Sequence, residues 1–233
     1  MEGGFGPKII FEIPGTNIPI TETVVVTWII MVILILFSFV ATRKFEQKPK
    51  GFQNFVEALV DSIYKLTSQT MGEDKMAFAP YIGTLMLYLI FANLAGLFAF
   101  RPPTADVNTT MGLALITFVM IHFFGMKSKG AGTYLKGFLD PFPVMLPLNL
   151  IGELATPISL SFRLFGNIVG GLIIMNLLYG GLGVLSTTLG IGIPIFQTGI
   201  PAVLHLYFDV FAGVLQSFIF SMLTMVFVSM AMD

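Results

Sequence analysis

Pro157-Ile-Ser-Leu-Ser-Phe-Arg-Leu-Phe-Gly-Asn167 lies within a long apolar stretch, and its Arg163 is the only basic side chain between Lys136 and Asp233. From residue 164 to residue 208 there is no Asp, Glu, Lys or Arg. A fixed charge at mid-bilayer costs from about 2.5–3.5 kcal/mol on insertion scales to about 10–17 in simulations, and such residues mark ion pathways by default. The setting of Arg163 therefore decides the fold class and where function is sought.

Working outward, the whole chain has the composition of an integral membrane protein. It is 55% hydrophobic and 11% charged over 233 residues, with a mean hydropathy of +0.89, which a soluble domain of this size would not carry. The absence of cysteine excludes disulfides, thiolate metal sites and a cysteine nucleophile. Two histidines make no zinc set, so neither a metal nor another cofactor is expected. A net charge of −1 offers no basic field for nucleic acid. With no Ser/His/Asp grouping and no HExxH, an enzyme with chemistry of its own is not expected.

Residues 24–41 form an uncharged run just long enough to span about 30 Å of hydrocarbon. It follows an external segment, 1–23, that carries Glu2, Glu12 and Glu22 and no small-residue cleavage motif, so no cleavable signal peptide is expected. Arg43, Lys44, Lys48 and Lys50 come next, and the positive-inside rule puts this end in the cytoplasm and the N-terminus outside. Over 51–71, Phe52, Phe55, Val56, Leu59, Val60, Ile63 and Leu66 repeat at helical spacing opposite Gln53, Asn54, Glu57, Asp61 and Lys65. This predicts an amphipathic helix on the cytoplasmic membrane surface, or one packed on another subunit.

A second span is expected over 77–100, ending at Arg101-Pro-Pro, and a third over 107–126, ending at Lys127 and Lys129. Nine of the twelve basic residues then fall on the cytoplasmic side, with Lys8 and Arg101 outside and Arg163 within. After Asp140-Pro-Phe-Pro143, residues 144–182 run on with one internal proline, Pro157. As helix they would measure about 58 Å, so the segment must tilt, bend at Pro157 or lie partly flat. Gly180, Gly181 and Gly183 are expected to weaken it before a Thr/Gly/Pro-rich loop, and residues 195–232 form a second long arm that Gly199-Ile-Pro201 divides. The fold class is all-α: a single polytopic membrane domain, 1–233, with five spans, the last two a tilted hairpin. No repeat or soluble domain is visible.

Between Pro143 and Asp233 the only formal charges are Glu153, Arg163 and Asp209. Each must face protein or water. On a helix Arg163 and Asn167 share a face with Gly170 and Gly171, while His205, Asp209, Gly213 and Gln216 follow one another at steps of four, four and three. Two such strips on neighbouring antiparallel helices would face each other or a common hydrated cavity. Taken singly, the glycines also suit close packing, and Asn167 and Gln216 suit interhelical hydrogen bonding. His205 and His122 also suit interfacial positions without a function. A buried pair of Arg163 with Asp209 or Glu153 is physically unattractive, since such pairs rarely outperform an apolar replacement.

The run from Pro157 to Asn167 closely resembles the signature of subunit a of the membrane sector of bacterial rotary ATP synthases. Pro147-Leu-Asn-Leu-Ile-Gly-Glu153, Gln216-Ser-Phe-Ile-Phe and Leu223-Thr-Met-Val-Phe-Val-Ser-Met-Ala agree with it, and the likeness covers essentially the whole chain. The resemblance implies a stator in the bacterial plasma membrane, with its C-terminus cytoplasmic, that feeds ions to a rotating c-ring. Protons are the default ion and sodium is possible. The implied partners are the c-ring, the peripheral-stalk subunit b, the remaining ATP synthase subunits and the lipid bilayer.

In that picture Arg163 separates two half-channels and favours the ionised form of a passing ring carboxylate by roughly 1.4–4 kcal/mol. Asn167 orients that carboxylate or its water, Gln216 pairs with the arginine region, Glu153 serves the inner half-channel and Asp209 the outer one. Leu172 stands where some bacterial members carry a carboxylate, which leaves the outer channel to Asp209 together with His205. A secondary transporter with Arg163 and Asp209 at the midplane is the alternative, although the inverted repeats such proteins carry are not seen here.

Overall fold

The computed structural model describes residues 6–12, 14–15, 19–43, 46, 50–98, 100–188 and 196–233. The basic residues Lys44 and Lys48, the start of the external segment and the end of the loop expected before the last arm (189–195) lie outside them. Among the described residues, five helices are long and apolar enough to cross a membrane: Glu22–Thr42, Glu73–Phe98, Val107–Lys129, Pro143–Thr188 and Pro201–Met232. The all-α polytopic architecture is therefore present.

A two-stranded antiparallel ribbon, β1 (Ile9–Glu12) and β2 (Pro19–Thr21), precedes the first span and was not expected from the sequence. Helix α1 (Glu22–Thr42) packs Val26 and Ile30 on Ala92 and Ala95 of the second span, while Trp28, Val32, Ile35 and Phe39 stay exposed on its other faces. Such exposure of large apolar groups suits lipid. Helix α2 (Phe52–Met71) matches the expected amphipathic helix, but its faces divide differently. Val56, Thr67 and Met71 turn inward and Phe52, Phe55 and Val60 stay exposed. Gln53, expected on the solvated side, is buried because its amide closes both backbone groups of Glu46, accepting from N at 3.0 Å and donating to O at 2.9 Å.

The second span begins as a 3-10 turn (Glu73–Phe78), continues as α3 (Ala79–Leu94) and ends in another 3-10 turn (Ala95–Phe98). The third, α4 (Val107–Lys129), is capped by Asp106, whose carboxylate accepts from Asn108 N at 3.0 Å and from Thr23 Oγ1 at 2.8 Å. That one side chain both starts α4 and ties it to α1. A short helix α5 (Ala131–Gly137), absent from the sequence reading, folds back after Gly130, whose φ of +81° is a conformation glycine adopts without a steric penalty.

Helix α6 (Leu146–Thr188) is continuous for 43 residues with Pro157 inside it. At about 1.5 Å per residue it measures about 65 Å, roughly twice the hydrocarbon thickness, so it must lie strongly tilted. Gly180, Gly181 and Gly183 do not end it. Gly183 serves packing instead: a Cβ there would meet Gln197 Nε2 at 2.8 Å, and that amide donates to Tyr179 O. The last arm comprises α7 (Phe196–His205), a π-helical segment (Leu206–Ala212) and α8 (Gly213–Met232). Pro201 stays within α7, and the irregularity falls later, at the π segment.

Helices α3, α4, α6 and α8 enclose the mid-bundle core of Leu85, Leu89, Ala114, Leu160, Leu164 and Phe220. Small polar side chains stitch it: Thr110 to Ser161 at 3.0 Å and Thr117 to Thr224 at 3.2 Å. Such interhelical bonds are worth about 0.6 kcal/mol each in membranes. At one end of the bundle Lys75 donates to Ser229 Oγ at 3.0 Å and pairs with Asp233, and Ser128 Oγ donates to Met232 O at 2.8 Å. The starts of the second and ends of the third and last spans thus share that end. At the other end Arg101 donates to Gly6 O at 2.9 Å.

The Lys75 hydrogen bond and charge hold the Asp233 carboxyl below its usual range. A lowered folded value stabilises the folded form above the unfolded pKa, and the contribution disappears as pH falls through the folded one. Protection of the amides over residues 229–233 from exchange, relative to their intrinsic rates, is therefore expected to fall several-fold below about pH 4, and Lys75→Met is expected to show the same fraying at neutral pH.

Candidate functional site

Arg163 projects from the exposed side of α6, between the buried anchors Leu160 and Leu164 that face α3, α4 and α8. Among the described residues it makes no hydrogen bond or ion pair. Neither Glu153 nor Asp209 neutralises it, so the internal salt bridge is not formed. Asn167, one turn on, is also exposed, and its Nδ2 donates to Gln216 Oε1 at 2.8 Å. Gln216 is 1% exposed, yet its Nε2 has no acceptor among the described residues. A buried amide donor left open in this way marks a place where water or a partner's oxygen belongs.

The expected second strip does not stay on one face. In a π segment the hydrogen bonds run from i to i+5, which turns residues before Gly213 relative to those after it. Gln216 meets Asn167 on α6. Gly213 instead abuts Asn93 of α3, where a Cβ would lie 3.1 Å from Asn93 Cβ. Asp209 lies against the second span at Gly96, its Cγ 3.8 Å from the position a Cβ would take there. Asn93 is itself buried and fully engaged, donating to Gly213 O and Ser217 Oγ at 2.9 Å each and accepting from Thr104 Oγ1 at 2.6 Å.

His205 bridges the two arms. Its Nδ1 is 2.6 Å from Asp209 Oδ2, and its Nε2 is 3.1 Å from the Tyr179 hydroxyl on α6. Tyr179 was missed in the sequence, where its only signal is that it is the one tyrosine between Tyr134 and Tyr207. Phe208 fills the space beside Gly171, with 3.4 Å from its Cδ1 to a Cβ position there, so this glycine serves helix approach.

Glu153 sits ten residues before Arg163, about 15 Å along α6. It lines an open cleft of about 680 Å³ together with Lys129, Tyr134, Asp140, Asn149 and Thr156. Pro157 has no N–H to give the Glu153 carbonyl four residues back, which leaves that oxygen free for another donor. A smaller cavity of about 200 Å³ shares Gly152 and Thr156 with the cleft and reaches Arg163. The two cavities thus adjoin at Gly152 and Thr156, one at the end of the bundle that holds Lys129 and the other at Arg163. Among the described residues no cluster of His, Cys, Asp or Glu has metal-binding geometry.

The family model for the ATP synthase A chain matches residues 24–229. The chain belongs to that family. The ATP synthase subunit a of Propionigenium modestum, described as sodium ion specific, is 37% identical over 96% of this chain and 84% of its own length. Subunit a of Oceanobacillus iheyensis is 35% identical over 94% of this chain and 93% of its own, and that of Moorella thermoacetica 34% over 91% of each. As a subunit a, the protein is a non-catalytic multi-pass membrane component of ATP synthase, and its partners are the other subunits of that complex.

Because Asn93 is buried and bonded in three directions, it cannot yield to a side chain at position 213. Gly213→Val is expected to destabilise the bundle by about 1–3 kcal/mol through overpacking, seen as a lower unfolding midpoint in detergent.

Proposed function

We propose that this subunit a is the stator of the ion path, with two half-channels that end on either side of Arg163 and deliver ions to carboxylates of a c-ring. The observation that carries the reading is a guanidinium on the exposed side of an apolar helix with no partner among the described residues. Lipid cannot be its neighbour at an acceptable free energy, so the surface that covers this face must bring an acceptor. A carboxylate presented by a neighbouring ring is such a group, and Arg163 drives it to release its cation. The same fixed charge, in a low-dielectric site, repels a cation that would pass directly from one half-channel to the other. Lysine is a poor substitute because it can lose its charge on burial.

The inner half-channel runs from the Glu153 cleft past Thr156 to Arg163. The outer one is built around Asp209, His205 and Tyr179, with Asn167 and Gln216 at its junction with the ring. Tyr179 lies sixteen residues beyond Arg163, about 24 Å along α6, so the two polar clusters stand well apart on the two sides of the arginine. Residues 1–233 act as one membrane domain, with the hairpin arms 144–182 and 195–232 carrying the path. The N-terminus is outside and the C-terminus in the cytoplasm of a bacterial plasma membrane, as the segregation of basic residues supports. The exposed faces of α1 and α2 suit the membrane segment of peripheral-stalk subunit b. Protons are the default ion. The sodium-specific relative makes sodium the competing choice, and sodium dependence of ATP hydrolysis by the complete complex separates the two.

Arg163→Ala is expected to abolish ion-driven ATP synthesis while the complex still assembles; coupled synthesis at the parent rate would overturn the reading. For Asp209→Asn, ion uptake from the outer side is expected to fall about 10-fold or more with a changed pH profile, and an unaltered flux and profile would leave Asp209 only a packing role.

A further inference from the structure

Near the inner end of α4 stands a histidine, His122, that the path above does not use. His122 is only 19% exposed, and its Nδ1 lies 2.8 Å from the Tyr134 hydroxyl of α5. Its other nitrogen, Nε2, is 3.9 Å from Glu153 Oε2 across the cleft from α6. That separation is too long for a hydrogen bond but within ion-pairing range once the imidazole is charged. The ring is held edge-on to Phe118 at a centroid distance of 4.1 Å and to Tyr134 at 6.0 Å, with Phe138 tilted above it at 6.4 Å.

The backbone is shaped to keep this arrangement. A Cβ at Gly125 would fall 2.5 Å from Tyr134 Cε2 and 3.1 Å from Ala231 O, so only glycine lets α5 lie this close to α4. Asn149 Nδ2 donates to Phe138 O at 2.9 Å and to Asp140 O at 3.1 Å, fixing the turn after α5 to α6. The charged groups that face the cluster are Lys129 from α4, Asp140 from that turn and Glu153 from α6. Tyr134 adds a phenol whose pKa is pushed up by burial and then by the Glu153 carboxylate, so it remains a hydroxyl at neutral pH.

We propose that His122 is a positioning residue for Glu153 and acts as a charge gate at the mouth of the inner half-channel, with Tyr134 holding its ring in place. The proposal rests on the reading that Glu153 serves that half-channel. With a neutral imidazole, the Glu153 carboxylate is free to attract the transported cation. With a protonated imidazole, the carboxylate is paired and a positive charge stands in the cleft, next to that of Lys129. Cation exchange with the inner side then slows. Imidazole is the side chain whose charge changes between about pH 5 and 8, so the gate closes as the inner side acidifies. Because the effect is electrostatic, it acts on protons and sodium alike.

The test uses the complete ATP synthase in inverted membrane vesicles, whose medium bathes the inner side, with ATP-driven ion transport read from pH 5.5 to 8. For His122→Gln, the ratio of variant to parent transport is expected to be near one at pH 8 and to climb to about threefold or more at pH 6. Tyr134→Phe keeps the imidazole but loosens Nδ1, and is expected to displace the acid limb along the pH axis without abolishing it. A variant-to-parent ratio that stays constant across the range overturns the gate. Should His122→Gln fail to assemble, Tyr134→Phe decides, and an unmoved limb overturns the proposal. Arg163→Ala and Glu153→Gln are run alongside. If both still transport at the parent rate, the half-channel reading fails. If they are inactive while the His122→Gln ratio stays flat, only the gate falls.

Discussion

The low dielectric of the bilayer governs this molecule: a polar group that finds no partner and no water there is costly enough to be displaced or neutralised. Most of the buried polar side chains comply locally. Asp106 closes on Thr23 and the Asn108 amide, Asn93 on Gly213, Ser217 and Thr104, and Lys75 on Ser229 and Asp233. The groups that do not comply are therefore conspicuous. Arg163 and the Nε2 of Gln216 both lie along the line where α6 approaches the last arm. The exposed guanidinium and the open amide of the buried Gln216 suit an acceptor brought from outside the chain.

The last arm shows how a small backbone irregularity redistributes function. Were residues 206–212 an ordinary α-helix, His205, Asp209, Gly213 and Gln216 would present one face to α6. With the π segment in place, Asp209 and Gly213 lie against the second span while His205 still reaches Tyr179. Asp209 thereby comes to rest at the seam between the second span and the hairpin, held at 2.6 Å by His205. π segments recur at functional sites for this reason: one extra residue per turn re-aims a side chain without ending the helix.

Much of this was legible in the sequence because hydropathy and the positions of charges are one-dimensional signals. Five spans, the amphipathic helix over 52–71 and the isolation of Arg163 follow from run length and the distribution of Lys and Arg. What could not be read were consequences of contact. The burial of Gln53 depends on where the backbone of Glu46 passes. Gly183 reads as a helix breaker until α7 is seen lying against it, and α5 is visible only once Gly130 has turned the chain. Tyr179 and Tyr134 carry no charge and follow no motif, so nothing in a linear pattern marks them as partners of His205 and His122. The irregularity in the last arm was expected at Pro201, yet proline at that point costs only the hydrogen bond to Gln197 O, which a helix near its start tolerates.

The unbroken course of α6 also has a mechanical meaning. Helix α6 passes through Pro157 without a break and is braced against α4 by Thr110–Ser161 and against α8 by Asn167–Gln216, either side of Arg163. A sideways load applied at the guanidinium is thus met by a beam supported on both flanks instead of a hinge. A part that must stay still while its neighbour turns needs support at the point of thrust, and here the helix that carries the charge is tied to its neighbours on both sides of it.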